Sequence, residues 1–184
     1  RKIKAKDYDK VSKTYCNSIR TNKGFLLYDV KNEVEVEYNN INSSFPEESK
    51  MYNSIYKKNK NINHIIFNNS PEILAICHSD ISLKPLLDDF AQIIGTHAKN
   101  VDNNSDLISQ ALKKFPVAFV KNLGALCCSK TNDDAVAVSM VTQKASKAYI
   151  GAALFGKVKP INPLECMIMR FVYLKKYAKK VDEK

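Results

Sequence analysis

Apolar residues recur at helical spacing behind a series of capping signals. Phe45-Pro46-Glu47-Glu48 precedes Met51, Tyr52, Ile55 and Tyr56, and Ser70-Pro71-Glu72 precedes Ile73, Leu74 and Ile76. A proline just inside a helix start presets φ where no backbone donor is needed, so both stretches predict helices. Asn162-Pro163-Leu164-Glu165 predicts another, with Glu165 three residues after the cap completing a capping box. Its stripe is Leu164, Met167, Ile168, Phe171 and Val172. Thr131-Asn132 opens a helix through Ala135, Val138, Val141, Ala145 and Tyr149; Ser105 opens one that turns Leu107, Ile108, Ala111 and Leu112 inward.

Short β-branched and aromatic runs predict the strands. Residues 25–28 and 34–38 form a hairpin around Val30-Lys31-Asn32, and 64–67 runs as a buried strand into the Ser70 cap. Residues 117–120 and 125–128 are strands joined through Asn122-Leu123-Gly124, while 38–45 and 100–105 read as loops. Hairpins mixed with helical crossovers predict an α/β protein, a three-layer α/β/α sandwich with helices on both faces of a largely antiparallel sheet.

Composition adds bounds. The 184 residues suit a single domain over 1–184, and the start at Arg1 rather than Met suggests residues before it. Hydrophobic content of 45% and charged content of 26% are ordinary for a globular chain. Five cysteines without a Cys-x-x-Cys pair predict neither a disulfide scaffold nor a zinc ribbon. No apolar run reaches the roughly 20 residues of a membrane span, and a cytoplasmic protein is expected. A net charge of +10 would suit an anionic partner, but the cations are dispersed apart from Lys175, Lys176, Lys179 and Lys180 and a smaller group at Lys57, Lys58 and Lys60. A solvated surface accounts for them better than nucleic acid does.

Four segments, in order, resemble the class II aldolase/adducin family. Pro46-Glu47-Glu48-Ser49-Lys50-Met51-Tyr52 is similar to its acidic helix start, and His64-Ile65-Ile66-Phe67-Asn68-Asn69-Ser70-Pro71 to its strand ending in His-x-His. The stretch from Leu83-Lys84-Pro85 to Gly95 resembles the family's middle, and that from Val117 to Leu126 its Asn-His-Gly hairpin. The resemblance implies the class II aldolase-like sandwich, a homo-oligomer (typically a tetramer with sites between subunits) and metal-dependent lyase or epimerase chemistry on a sugar phosphate.

It also implies a divalent metal, usually zinc, on the three histidines of those motifs. At those positions this sequence has Phe67, Asn69 and Leu123. Zinc needs lone-pair donors about 2 Å away. Phenylalanine and leucine have none, and a neutral amide oxygen is a poor zinc ligand. No metal or cofactor is therefore expected, the family zinc included. Glu48 stands where the family keeps its acid/base glutamate, and equally where a first-turn carboxylate favours the helix dipole. Asn17-Ser18-Ile19 only echoes the family's phosphate-binding loop.

Other chemistry-bearing groups have plainer readings. Cys77-His78-Ser79-Asp80 packs three metal-ligand types into four residues, too close in sequence to converge on one ion without help from Asp88 or Asp89. Asp88-Asp89 reads as a helix cap, His97 as a surface residue and His64 as a strand edge. Lys84 is either an active-site or a solvated lysine. Cys127 and Cys128 face opposite sides of a strand and read as buried thiols. The helix around Tyr173 and Tyr177 either meets an anionic partner or is packed through Phe171, Val172 and Leu174.

The sequence reading is thus a family member that has lost the metal and its lyase or epimerase activity and acts as a binding or scaffolding protein, for a small carbohydrate or a protein partner. The alternative is an enzyme acting on a sugar phosphate without zinc through Glu48. A weaker alternative is a basic nucleic-acid-binding module.

Overall fold

The computed structural model describes residues 2–4, 17–29, 34–39 and 47–182. Its framework is an eight-stranded sheet built from β1 (Lys2–Lys4), β2 (Asn17–Arg20), β3 (Gly24–Asp29), β4 (Val34–Asn39), β5 (His64–Asn68), β6 (Lys99–Val101), β7 (Val117–Val120) and β8 (Gly124–Ser129). The strand order is β1-β4-β3-β2-β5-β8-β7-β6. Only the two outer pairs, β1 with β4 and β6 with β7, run parallel. The helices are α1 (Glu47–Lys58), α2 (Pro71–Cys77), α3 (Asp88–Ile93), α4 (Ser105–Ala111), α5 (Asn132–Leu154) and α6 (Pro163–Asp182).

Alternation along the central strands divides the core in two. Ala118, Val120, Leu126 and Cys128 join Tyr52, Ile55, Tyr56, Ile108 and Leu112 on the α1/α4 face. Val117, Phe119, Ala125 and Cys127 join Ile73, Phe90, Ile94, Val138 and Ala145 on the α2/α3/α5 face. With a side-chain period of two, a strand buried on both faces must be apolar throughout, as β7 is. This is the predicted three-layer sandwich, and Cys127 and Cys128 do face opposite layers.

Several elements differ from expectation. Residues 99–101, whose last two fall in the stretch 100–105 read as a loop, form an edge strand with Lys99 opposite Ala118 and Val101 opposite Val120. The tripeptide Lys-Asn-Val carries too little pattern to announce itself. Ser70 makes no side-chain cap; Asn68 Oδ1 instead accepts from Ser70 N at 2.9 Å. Asp88 and Asp89 lie in the first turn of α3 rather than capping it, the N-cap position being Leu87. Leu107 is 42% exposed instead of facing inward, while Ile108, Ser109 and Ala111 form the buried side of the helix, which Asn104 caps. The cap positions 45–46 and the 30–33 turn lie outside the described residues.

The largest correction concerns α6. Its apolar stripe faces outward, with Leu164 66%, Met167 61% and Phe171 59% exposed. Val172 and Leu174 are exposed as well, so they do not pack the helix. What docks it is the opposite side. Cys166 is fully buried, and Arg170 Nη1 donates to Ile93 O at 2.5 Å and Gln92 O at 3.5 Å, satisfying carbonyls at the end of α3. Asn162 Oδ1 accepts from Leu164 N at 2.9 Å and caps the helix.

Candidate functional site

The residues at the positions the resemblance assigns to metal ligands meet at one end of the central strands. β5 and β8 pair antiparallel, with Phe67 opposite Leu126 and Asn68 opposite Ala125. Asn69, one residue further along, therefore lies beside the connection between β7 and β8. That connection is Lys121-Asn122-Leu123, closed by the Val120–Gly124 pair and turned by Asn122 at φ 61°. An asparagine tolerates the left-handed conformation such a turn needs.

Sequence proximity and sheet register thus bring Phe67, Asn69 and Leu123 together, but the resulting chemistry is apolar. Phe67 and Leu123 are half-buried against the α1-side core, while Asn69 is exposed. A Cβ on Gly124 would stand 2.7 Å from Phe67 Cζ, so the phenyl ring occupies the space above the turn. Asn17 Oδ1 accepts from Phe67 N at 3.0 Å and fixes the strand beneath the ring. Two of the three side chains carry no donor atom for a divalent ion, and the third offers one neutral oxygen, so this set does not fit the family zinc. Glu48 lies in the first turn of α1, but its side chain is outside the described residues.

The phosphate-loop echo is committed elsewhere. Besides the Asn17 bond, Ser18 Oγ donates to Leu26 O at 2.7 Å and accepts from Tyr56 Oη at 3.0 Å. Arg20, which no sequence pattern singles out, donates to Tyr56 O, Asn59 O and Ile62 O at 2.8–3.0 Å. It thereby ties β2 to the end of α1. A four-residue polar strand carries no signal for that role.

The remaining candidates separate. Cys77 is buried and its thiol is pushed up to about 11 by desolvation. His78 Nδ1 bonds Leu74 O at 2.7 Å, and Asp80 pairs with Lys121 at 3.1 Å. Among the described residues no three His, Cys, Asp or Glu side chains converge on a point that could hold a metal ion. Burial holds Cys127 up at about 12 and raises Cys128 as well, which leaves both as inert thiols. Asp89 pairs with Lys144 at 2.7 Å. His64 opens β5 half-buried, its Nδ1 without a hydrogen-bond partner among the described residues. His97, expected on the surface, is instead partly buried against Phe115, ring centroids 4.4 Å apart.

A mainly antiparallel sheet between two helical layers, with its candidate site where a strand end meets a tight hairpin, defines an aldolase-type α/β/α sandwich. Residues 12–150 match the family described as the Class II Aldolase and Adducin N-terminal domain, and the chain belongs to that family. No curated protein matches it in sequence.

Solved structures carry the same fold at low identity. An L-fuculose 1-phosphate aldolase superposes with a TM-score of 0.69 at 13% identity, covering 90% of this chain and 89% of its own. The L-fuculose-1-phosphate aldolase of Thermus thermophilus gives 0.62 at 16%, over 81% of this chain and 89% of its own. The enzyme of the same name from Glaciozyma antarctica gives 0.66 at 15%, over 88% and 74%. No helix among the described residues is long and apolar enough to cross a membrane.

Proposed function

We propose that this family member no longer performs metal-dependent sugar-phosphate cleavage or epimerisation and acts as a binding or scaffolding protein, assembled as a homo-oligomer. The observation that carries this reading is the apolar plug at the hairpin end: Phe67 over Gly124, with Leu123 against the same core. An enediolate formed on breaking a sugar-phosphate carbon–carbon bond needs charge stabilisation. Phe67 and Leu123 supply none. The outward stripe of α6 supports assembly, because exposing several large apolar side chains in a row is the usual mark of a surface that meets a partner.

Metal content tests the reading. After incubation with zinc or manganese and desalting, plasma mass spectrometry is expected to find no stoichiometric ion, and L-fuculose 1-phosphate is expected to remain uncleaved. One tightly held ion per subunit, or turnover of that substrate, would overturn it. The variant Phe67→His/Asn69→His/Leu123→His is expected to gain about one zinc per subunit. Failure of a folded triple variant to bind zinc would show that these three positions are not the family's ligand positions.

A further inference from the structure

On the α2/α3/α5 face of the sheet, away from the Phe67–Leu123 plug, the chain encloses a second site. Leu83 and Ala98 form an isolated antiparallel bridge, Leu83 N donating to Ala98 O at 2.9 Å and Ala98 N to Leu83 O at 2.8 Å. That register sets Lys84 opposite His97. Across from them the segment leading into α6 is held by Ile161 N, which donates to Pro85 O at 2.9 Å. Between these walls is an open cleft of about 710 Å³, lined by Lys84, Pro85, Thr96, His97, Pro163 and Met167 among others. That volume lies in the range of roughly 300–1,000 Å³ that small ligands occupy.

The lining has a consistent chemistry. Prolines, Ile161 and Met167 make most of it apolar, and the charged side chain among them is Lys84, with no carboxylate. Thr96 Oγ1 lies 3.1 Å from His97 Nδ1, which leaves Nε2 for another partner. Lys99, Lys84 and Lys114 all bring positive charge to the His97 ring, and no Asp or Glu lines the cleft among the described residues. Two walls fixed by backbone bonds, a mainly apolar lining and a lysine at one edge suit a negative group on an apolar body.

We propose that this cleft binds a small organic anion, a carboxylate or phosphate monoester on an aromatic or aliphatic body, with Lys84 and His97 holding the anionic head and the proline–methionine wall holding the body. The inference does not depend on the loss of catalysis at the hairpin end. A binding measurement followed residue by residue tests it with the full chain.

Benzoate and phenyl phosphate are titrated into isotope-labelled protein, with phenol and inorganic phosphate as single-feature controls. At least one of the two anions is expected to saturate, with amide and His97 ring shifts confined to residues 83–85, 96–98 and 160–167, and to weaken as salt rises. Phenol and inorganic phosphate are each expected to bind at least about tenfold more weakly, and Lys84→Glu to weaken the anion by about tenfold or more. His97→Gln, a milder change, guards against a misfolded Lys84→Glu and should weaken binding severalfold. Absence of saturation at millimolar anion, shifts centred on Phe67 and Leu123, phenol binding as tightly as the anions, or unchanged affinity in both folded variants would overturn the site.

Discussion

The ring of Phe67 rests on Gly124 so closely that a single added methyl group would stand 2.7 Å from Phe67 Cζ and 2.7 Å from Asn68 O. Gly124 also holds φ +152°, which side-chain-bearing residues rarely adopt. Gly124→Ala is expected to destabilise the fold by about 2–4 kcal/mol, combining overpacking with backbone strain. Trimming the ring in Phe67→Ala/Gly124→Ala should recover little, since the carbonyl contact and the φ remain. Urea unfolding of both variants beside the wild type checks this; an alanine at 124 that leaves the midpoint unmoved would contradict the packing.

Arg20 closes the end of α1 with three carbonyl acceptors, and its guanidinium lies 4.8 Å from the centroid of the Tyr56 ring. Arg20→Met should cost about 1–3 kcal/mol through the carbonyls it leaves unpaired. Arg20→Lys is expected to restore only part, because one ammonium cannot reproduce a planar fork of donors. Thermal melts of both variants give the order; lysine matching the wild type would argue against the three-carbonyl geometry.

His97 is held below the ordinary histidine range, first by burial and then by Lys99, Lys84 and Lys114. The folded state therefore binds fewer protons here than the unfolded state. Its contribution to stability is present above the unfolded histidine value of about 6.5 and is lost as pH falls through the lowered folded value. Lys84→Gln is expected to move the His97 titration upward. An NMR titration of the ring Cε1–H resonance reads the midpoint directly, and a midpoint that stays put on removing Lys84 would show that this lysine does not act on the ring.

The stripe of α6 should behave as an interface rather than as core. Phe171 is 59% exposed and Ile168 57%, so Phe171→Glu and Ile168→Glu should shift the melting temperature of the isolated chain little. Both are expected to lower the molar mass seen by light scattering at a given concentration. A wild-type chain that is monomeric at high concentration would remove the homo-oligomer from the proposed function.

Much of the architecture was legible because local rules and tertiary packing agree. Met51, Tyr52, Ile55 and Tyr56 are spaced for one helical face, and all four are buried there. The apolar run 117–120 admits only a strand covered on both sides. Thr131 caps α5 by accepting from Asp134 N, as its position before an acidic turn predicts. Short or polar elements were not legible. Residues 17–20 and 99–101 become strands because longer neighbours offer them an unpaired edge, an advantage no property of their own sequence records.

Residue type and local spacing were enough for the layered fold and for the side chains at the hairpin end, while the family was legible as a resemblance of four segments. Residue type was also enough to show that Phe67 and Leu123 bring no donor to that place, since donor atoms belong to the residue and not to its surroundings. Which way α6 turns its apolar stripe was settled only in the packed molecule. Rotation about a helix axis is set by what the opposite face can bond, here Arg170 on the carbonyls of α3. Packing likewise set His97 across from Lys84, through one backbone bridge between segments that share no pattern in the chain. Pairing of that kind is a long-range choice made by the core, and it is where the second site arises.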